Sequence, residues 1–214
     1  LLSFTLQYLI KHPAVLKRAY AEVDAVFGAD LDSPPTLAQV GRLPYIRQVL
    51  NEALRLYPTA PAFTVMPLED TLLAGVYPLK AGQPIMILIG GLHRDEKVWG
   101  DNPELFDPER FSPEVAAKRL PNAFKPFGNG QRACIGSQFA LQESVLALGM
   151  ALQRFKFVDH TNYQLAVKET LTLKPDDFRL RLKKRSAEDR DLSSQKTSVT
   201  VEPTQETTAT NLKT

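Results

Sequence analysis

Cys134 is the single cysteine of a 214-residue chain. It lies in the run Phe127-Gly128-Asn129-Gly130-Gln131-Arg132-Ala133-Cys134-Ile135-Gly136. Glycines let a backbone bend sharply enough to aim several N–H groups at one atom. The apolar spacing after Gly136 predicts a helix from Ser137, so a thiolate at Cys134 would also face the positive end of that helix dipole. Both influences favour the anion. Arg132 offers a cation for a carboxylate, and Phe127 offers an aromatic wall. A thiolate, a cation for acids and a flat apolar wall together suit an iron porphyrin with its two propionates. A lone cysteine is ordinarily a buried, inert thiol; the Phe, Gly, Arg and Gly around this one argue for more. Gly128-x-Gly130-x-x-Ala133 also matches a loose dinucleotide fingerprint, but no strand precedes it and no acidic residue follows at about 20 residues.

A second pair of chemistry-bearing residues is Glu52 and Arg55, within Glu52-Ala53-Leu54-Arg55. Residues at i and i+3 share a helix face, so the carboxylate and guanidinium can pair. His12, His93 and His160 have no metal-ligand spacing such as H-E-x-x-H and read as surface or satisfied histidines. No nucleophile elbow and no Walker loop occurs.

The elements that must position these residues follow from apolar periodicity and from Pro and Gly punctuation. Leu1 to Ile10 reads as a largely buried helix stopped at Lys11-His12-Pro13. Ala14 to Phe27 is a second helix, closed by Gly28. Arg42 to Leu56 is the strongest, with Ile46, Val49, Leu50, Ala53 and Leu54 on one face. Thr64–Met66, Thr71–Leu73 and Pro84–Ile89 read as short strands. Gly90 to Pro126 is a long irregular segment, which in a compact domain is usually functional. Ser137 to Phe155 is a helix with Phe139, Leu141, Val145, Leu148 and Leu152 inward. Phe155–Val158, Thr170–Leu173 and Phe178–Leu182 read as terminal strands. After Arg185 large apolar residues nearly vanish, so residues 186–214 read as a flexible linker or tail.

The cysteine segment fills every fixed position of the F-x-x-G-x-R-x-C-x-G signature of the cytochrome P450 superfamily, at Phe127, Gly130, Arg132, Cys134 and Gly136. The family's E-x-x-R motif is present at Glu52 and Arg55. Its P-E-R-F motif is present as Pro108-Glu109-Arg110-Phe111, in the expected order. The resemblance runs from Leu1 to about Arg185 and is closest to the self-sufficient fatty-acid hydroxylases, whose haem domain is fused to a flavin reductase. Asn51-Glu52-Ala53-Leu54-Arg55-Leu56, Pro58-Thr59-Ala60-Pro61-Ala62-Phe63 and the stretch His160-Thr161-Asn162-Tyr163 through Lys174-Pro175 resemble that subfamily.

The resemblance implies a mainly α fold with small β-sheets, namely the C-terminal (proximal) half of the cytochrome P450 fold, over residues 1–185. It implies haem b with Cys134 as the iron ligand, and Phe127, Gly128, Gly130, Arg132 and Gly136 around the cofactor. Arg110 would be the third member of a buried ionic trio with Glu52 and Arg55. Ala60 and Ala62, with Leu171 at a strand turn, would line the substrate pocket. The implied activity inserts one oxygen atom from O2 into a C–H bond of a fatty acid or similar lipophilic molecule. Its electrons would come from NADPH through FAD and FMN in a reductase partner, fused or separate. Because the chain opens at Leu1 inside an apolar run, it reads as a piece of a longer protein. The distal oxygen-activating acid and threonine are expected upstream. The 214 residues alone are expected to bind haem weakly at best and not to turn over substrate. A peroxide-using relative and a truncated non-catalytic haem-binding remnant remain alternatives.

Composition bounds the same reading. Hydrophobic residues make up 43% and charged residues 23%, an ordinary globular balance that excludes a wholly disordered chain. With 26 Lys+Arg against 24 Asp+Glu, the net charge of +2 lacks the basic excess of a nucleic-acid binder. One cysteine excludes an intrachain disulfide framework. No apolar run approaches the roughly 20 residues of a membrane helix. The subfamily resembled implies a cytoplasmic protein.

Overall fold

Prolines set where two of the long helices start. Pro13 and Pro44 each occupy the first turn of a helix, where a missing N–H costs nothing. The computed structural model describes residues 1–194. Its elements run α1 (Leu2–Lys11), α2 (Pro13–Phe27), α3 (Leu37–Val40) and α4 (Pro44–Leu56), then β1 (Ala62–Val65), β2 (Thr71–Leu73), β3 (Tyr77–Leu79) and β4 (Ile85–Leu88). Short helices α5 (Ile89–Leu92), α6 (Glu96–Trp99) and α7 (Pro113–Ala116) punctuate the segment that follows, with a 3-10 turn at Pro108–Phe111. A second 3-10 turn, Gly130–Arg132, leads to α8 (Ser137–Arg154), β5 (Phe155–Val158), β6 (Val167–Glu169), β7 (Leu173–Pro175), β8 (Arg181–Lys184) and α9 (Ala187–Ser194). The described part is therefore mainly α with small sheets.

The core is built by α1, α2, α4 and α8. Leu9, Ala19, Val23, Ile46, Val49, Leu50, Ala53 and Leu152 have no exposed surface. Helix α2 crosses α8 closely at Gly149, where an added Cβ would stand 2.9 Å from a Phe27 ring carbon and 3.2 Å from Leu43 Cδ1. Leu43 precedes α4 and has no side chain to cap it. The Glu22 carboxylate of α2 does so instead, accepting the Tyr45 and Ile46 N–H groups at 2.8 Å each.

Among the described residues the strands pair as four antiparallel two-stranded sheets: β1 with β4, β2 with β3, β5 with β8 and β6 with β7. In the first, Ala62 pairs with Leu88 and Val65 with Ile85.

Several elements differ from the sequence reading. Phe139 is 72% exposed rather than inward. Leu141, Val145, Leu148 and Leu152 form the buried stripe of α8, and Phe139, two residues before Leu141, points to the other side of the helix. Of the expected strand at Thr170–Leu173, residues 170–172 are the turn of the β6–β7 hairpin, and Leu173 opens β7 opposite Glu169. The last strand begins at Arg181, not Phe178. Phe155 opens β5 instead of closing α8. The stretch 186–194, expected as linker, carries α9. Arg185 holds it there: its guanidinium donates to both Asp24 oxygens of α2, at 2.8 and 2.7 Å, and to the Asp189 carbonyl. Residues 195–214 of the expected linker lie outside the described residues.

Candidate functional site: the Cys134 loop and its support

Helix α4 presents Glu52 and Arg55 to the chain that follows β4, and neither side chain is exposed. Arg55 donates from Nε to Glu52 Oε2 at 2.7 Å and from Nη2 to Oε1 at 2.8 Å. Its remaining N–H groups reach the carbonyls of His93 (2.9 Å), Pro103 (2.6 Å) and Leu105 (3.1 Å). All five donors of the guanidinium are thus used. Glu52 also accepts the Asp107 N–H at 2.9 Å, and Arg110 Nε stands 3.8 Å from Oε1. Burial pushes the Glu52 carboxyl up, against the pull of the Arg55 donors. Arg110 itself donates to the Trp99 and Asn102 carbonyls. The expected trio therefore converges, with Arg55 bonded to Glu52 and Arg110 at ion-pair distance only.

An aromatic cluster completes the fixation of this irregular segment. Phe111 and Phe124 meet edge to face at 4.7 Å, and the His93 ring lies 5.0 Å from Phe124. The Arg119 guanidinium lies over Trp99 and Phe111, 4.5 Å from each ring centre. His93 is fully buried, and burial holds its ring down to about pKa 4.

The chain then turns into the cysteine loop. Gly128 and Gly130 have φ of +80° and +65°, backbone that L side chains rarely adopt. The turn brings the Cys134 N–H to the Phe127 carbonyl at 2.9 Å and closes the loop on itself. Cys134 carries a free thiol that is exposed, and it opens onto a cavity of about 480 Å³. Phe127, Gly128 and Arg132 line this cavity from the loop, Ala140 and Ser144 from α8, and Ala60 and Ala62 from the chain around β1. Arg132 joins no ion pair among the described residues. Gly130 and Gly136 shape the backbone without lining the cavity, Gly136 preceding α8 as its cap.

Leu171 does not join them. It is 93% exposed at the β6–β7 turn, and its neighbour Thr172 lines the cavity instead. Sequence reading also missed Ala140 and Ser144. Their signal was available, since small residues at i and i+4 on the helix after the thiol share its inner face.

The donor set tells what the cavity suits. Among the described residues no group of three His, Cys, Asp or Glu side chains could hold a metal ion. A metal at Cys134 must bring its other ligands with it, and a macrocycle does so. The flat Phe127 wall, the apolar lining and the free Arg132 guanidinium fit such a group and its carboxylates.

The cytochrome P450 family model matches residues 1–182, and the chain belongs to that family. It is 56% identical over 183 residues to the bifunctional cytochrome P450/NADPH–P450 reductase of Bacillus cereus, a match covering 85% of this chain. Identity is 52% over 185 residues, or 86% of the chain, to bifunctional cytochrome P450/NADPH–P450 reductase 2 of Bacillus subtilis. It is 50% over 182 residues, or 85% of the chain, to a self-sufficient cytochrome P450 monooxygenase of Aspergillus kawachii. The chain spans 17% of the length of each of these relatives. Membership implies haem iron as the cofactor. No helix among the described residues is long and apolar enough to cross a membrane.

Proposed function

We propose that residues 1–185 form the C-terminal, proximal part of a haem-thiolate monooxygenase domain of the self-sufficient kind, with residues 186–214 leading out of it. The proposed substrate is a fatty acid or a similar lipophilic molecule. The proposed electron source is NADPH, through a reductase bearing FAD and FMN. Bound haem supplies the oxygen-activating chemistry that inserts one atom of O2 into a C–H bond.

The chain's own residues have separate tasks. Cys134 presents the thiolate that binds the iron. Arg132 would meet a propionate, and Phe127 would offer the macrocycle an apolar wall. Gly128, Gly130 and Gly136 let the loop take its shape. Glu52, Arg55 and Arg110 hold the segment that leads into it. Ala60 and Ala62 leave room for an acyl chain, while Leu171 stands outside the cavity.

One observation carries this reading: the exposed Cys134 thiol opens onto an apolar cavity beside an aromatic wall and an unpaired guanidinium. The test uses the full-length, haem-loaded polypeptide that contains this sequence. Its reduced carbon monoxide complex is expected to show the red-shifted thiolate band, and Cys134→His is expected to abolish it. A band that persists in Cys134→His overturns the ligand assignment.

A further inference from the structure

His93 stands between the ion-paired helix and the approach to the cysteine loop, bonded on both sides. The Lys125 backbone N–H donates to its Nε2 at 2.9 Å, and its Nδ1 lies 3.2 Å from the Arg55 carbonyl. A backbone amide only donates, so Nε2 carries no proton. The Arg55 carbonyl only accepts, so Nδ1 carries it. The two bonds together fix one neutral tautomer. The ring is fully buried, against Phe124 on one side and near Trp99 at 6.2 Å. The charged groups around it are cations, Arg55 on α4 and Arg94 beside it in the chain, with Glu52 engaged by Arg55.

The consequence lies two residues further on. Lys125 precedes Pro126 and Phe127, and the Phe127 carbonyl accepts the Cys134 N–H. Proline has no N–H to anchor its own backbone, so the Lys125 amide is the last backbone donor before Phe127. The acceptor that holds it is a side chain, His93, rather than a neighbouring strand.

We infer that His93 is a positioning residue for the Cys134 loop: its ring links the Arg55 carbonyl to the Lys125 amide and so sets Phe127 and the thiol against the cavity. The inference rests on the proposed haem-thiolate reading, because the position it sets is that of the iron ligand.

The test compares wild type, His93→Phe, His93→Gln and Cys134→Ser in the full-length haem-loaded protein. His93→Phe keeps an aromatic ring and removes the acceptor. Its Lys125 amide is expected to exchange with solvent at least tenfold faster while the amides of α8 keep their protection. The thiolate band of its reduced carbon monoxide complex is expected to fall at least threefold relative to total haem. His93→Gln, whose side-chain carbonyl can accept the same N–H, is expected to restore most of that band. If His93→Phe fails to fold, as unprotected α8 amides would reveal, His93→Asn replaces it. Asn is too short to reach Lys125, and the same loss of band is expected. A folded His93→Phe or His93→Asn protein with wild-type band intensity overturns the inference, as does a His93→Gln protein no better than His93→Phe. Cys134→Ser separates the two readings: if it retains the thiolate band, the ligand assignment falls independently of any His93 result.

Discussion

Glu52 and Arg55 meet through two parallel N–H···O bonds of 2.7 and 2.8 Å, one helical turn apart, with neither side chain exposed to water. Removing one partner of such a pair leaves a buried charge and costs about 3–5 kcal/mol. Arg55→Met is therefore expected to lower the urea midpoint sharply or to prevent folding. Ordinarily a buried ion pair can be replaced on both sides by apolar residues with little loss. Here the double variant Glu52→Leu/Arg55→Met is expected to stay as unstable as the single one, because the carbonyls of His93, Pro103 and Leu105 still lose their donor. Recovery in the double variant would show that those three bonds contribute nothing.

The Asp24–Arg185 pair is another buried contact of this kind, with side chains 8% and 2% exposed. Asp24→Asn is expected to lower the thermal midpoint and to free α9, read as faster amide exchange over residues 187–190. Lys80→Ala, at the exposed pair with Asp70, is expected to leave the midpoint unchanged, since solvated pairs are worth little. Equal effects from the two variants would contradict the burial argument.

Gly149 offers a test of packing against propensity. In an open helix Gly→Ala stabilises by about 1 kcal/mol. At position 149 the new Cβ meets Phe27 at 2.9 Å, and overpacking costs about 1–3 kcal/mol. Gly149→Ala is therefore expected to destabilise, and Phe27→Leu is expected to be less harmful in the Gly149→Ala background than alone. Additive effects in this double-mutant cycle would show that the two residues do not press on each other.

Buried His93 makes stability depend on pH in a defined window. Its ring titrates at about 4 when folded, against 6.5 for the free residue, because burial opposes the charge and Arg55 and Arg94 add to that. Between these values the unfolded chain binds a proton that the folded chain refuses, so stability falls as pH falls. The full contribution is present above pH 6.5, and the loss below it runs at roughly 1 kcal/mol per pH unit down to about pH 4. Urea titrations at pH 7.5 and 5.5 are expected to show this loss in wild type and its absence in His93→Gln. An identical difference in both proteins would assign the dependence to other groups.

The long helices α1, α2, α4 and α8 were legible because burial follows a 3.6-residue period and because Pro13 and Gly28 mark ends, whereas α4 begins at Pro44 rather than at the expected Arg42. The cysteine loop was legible because its shape needs glycine and its chemistry needs particular side chains. Other parts rest on forces that leave no apolar pattern. Helix α9 is held by polar contacts of Arg185, Asp24 and Asp189, so the loss of large apolar residues after Arg185 hid it. Its one signal was a capping pair, Ser186 and Asp189, bonded in both directions. The β6–β7 hairpin differs from the expected strand because Thr170 to Leu173 has strand-forming residues, yet the turn takes 170–172 and sends Leu171 outward. Residue types left His93 as either a surface or a satisfied histidine, and burial decides for the second. Which atoms satisfy it could be known only once Lys125 was placed beside it.

Arg55 grips the chain after α5 by its carbonyls, and every residue has a carbonyl. The side chains at 103 and 105 are invisible to it, and Leu105 is more than half exposed even though its backbone is a fixed anchor. Substitution at these positions should pass almost unnoticed, while insertion or deletion of a single residue between His93 and Leu105 would move the acceptors out of the guanidinium's reach. The stretch is tolerant of spelling and intolerant of length.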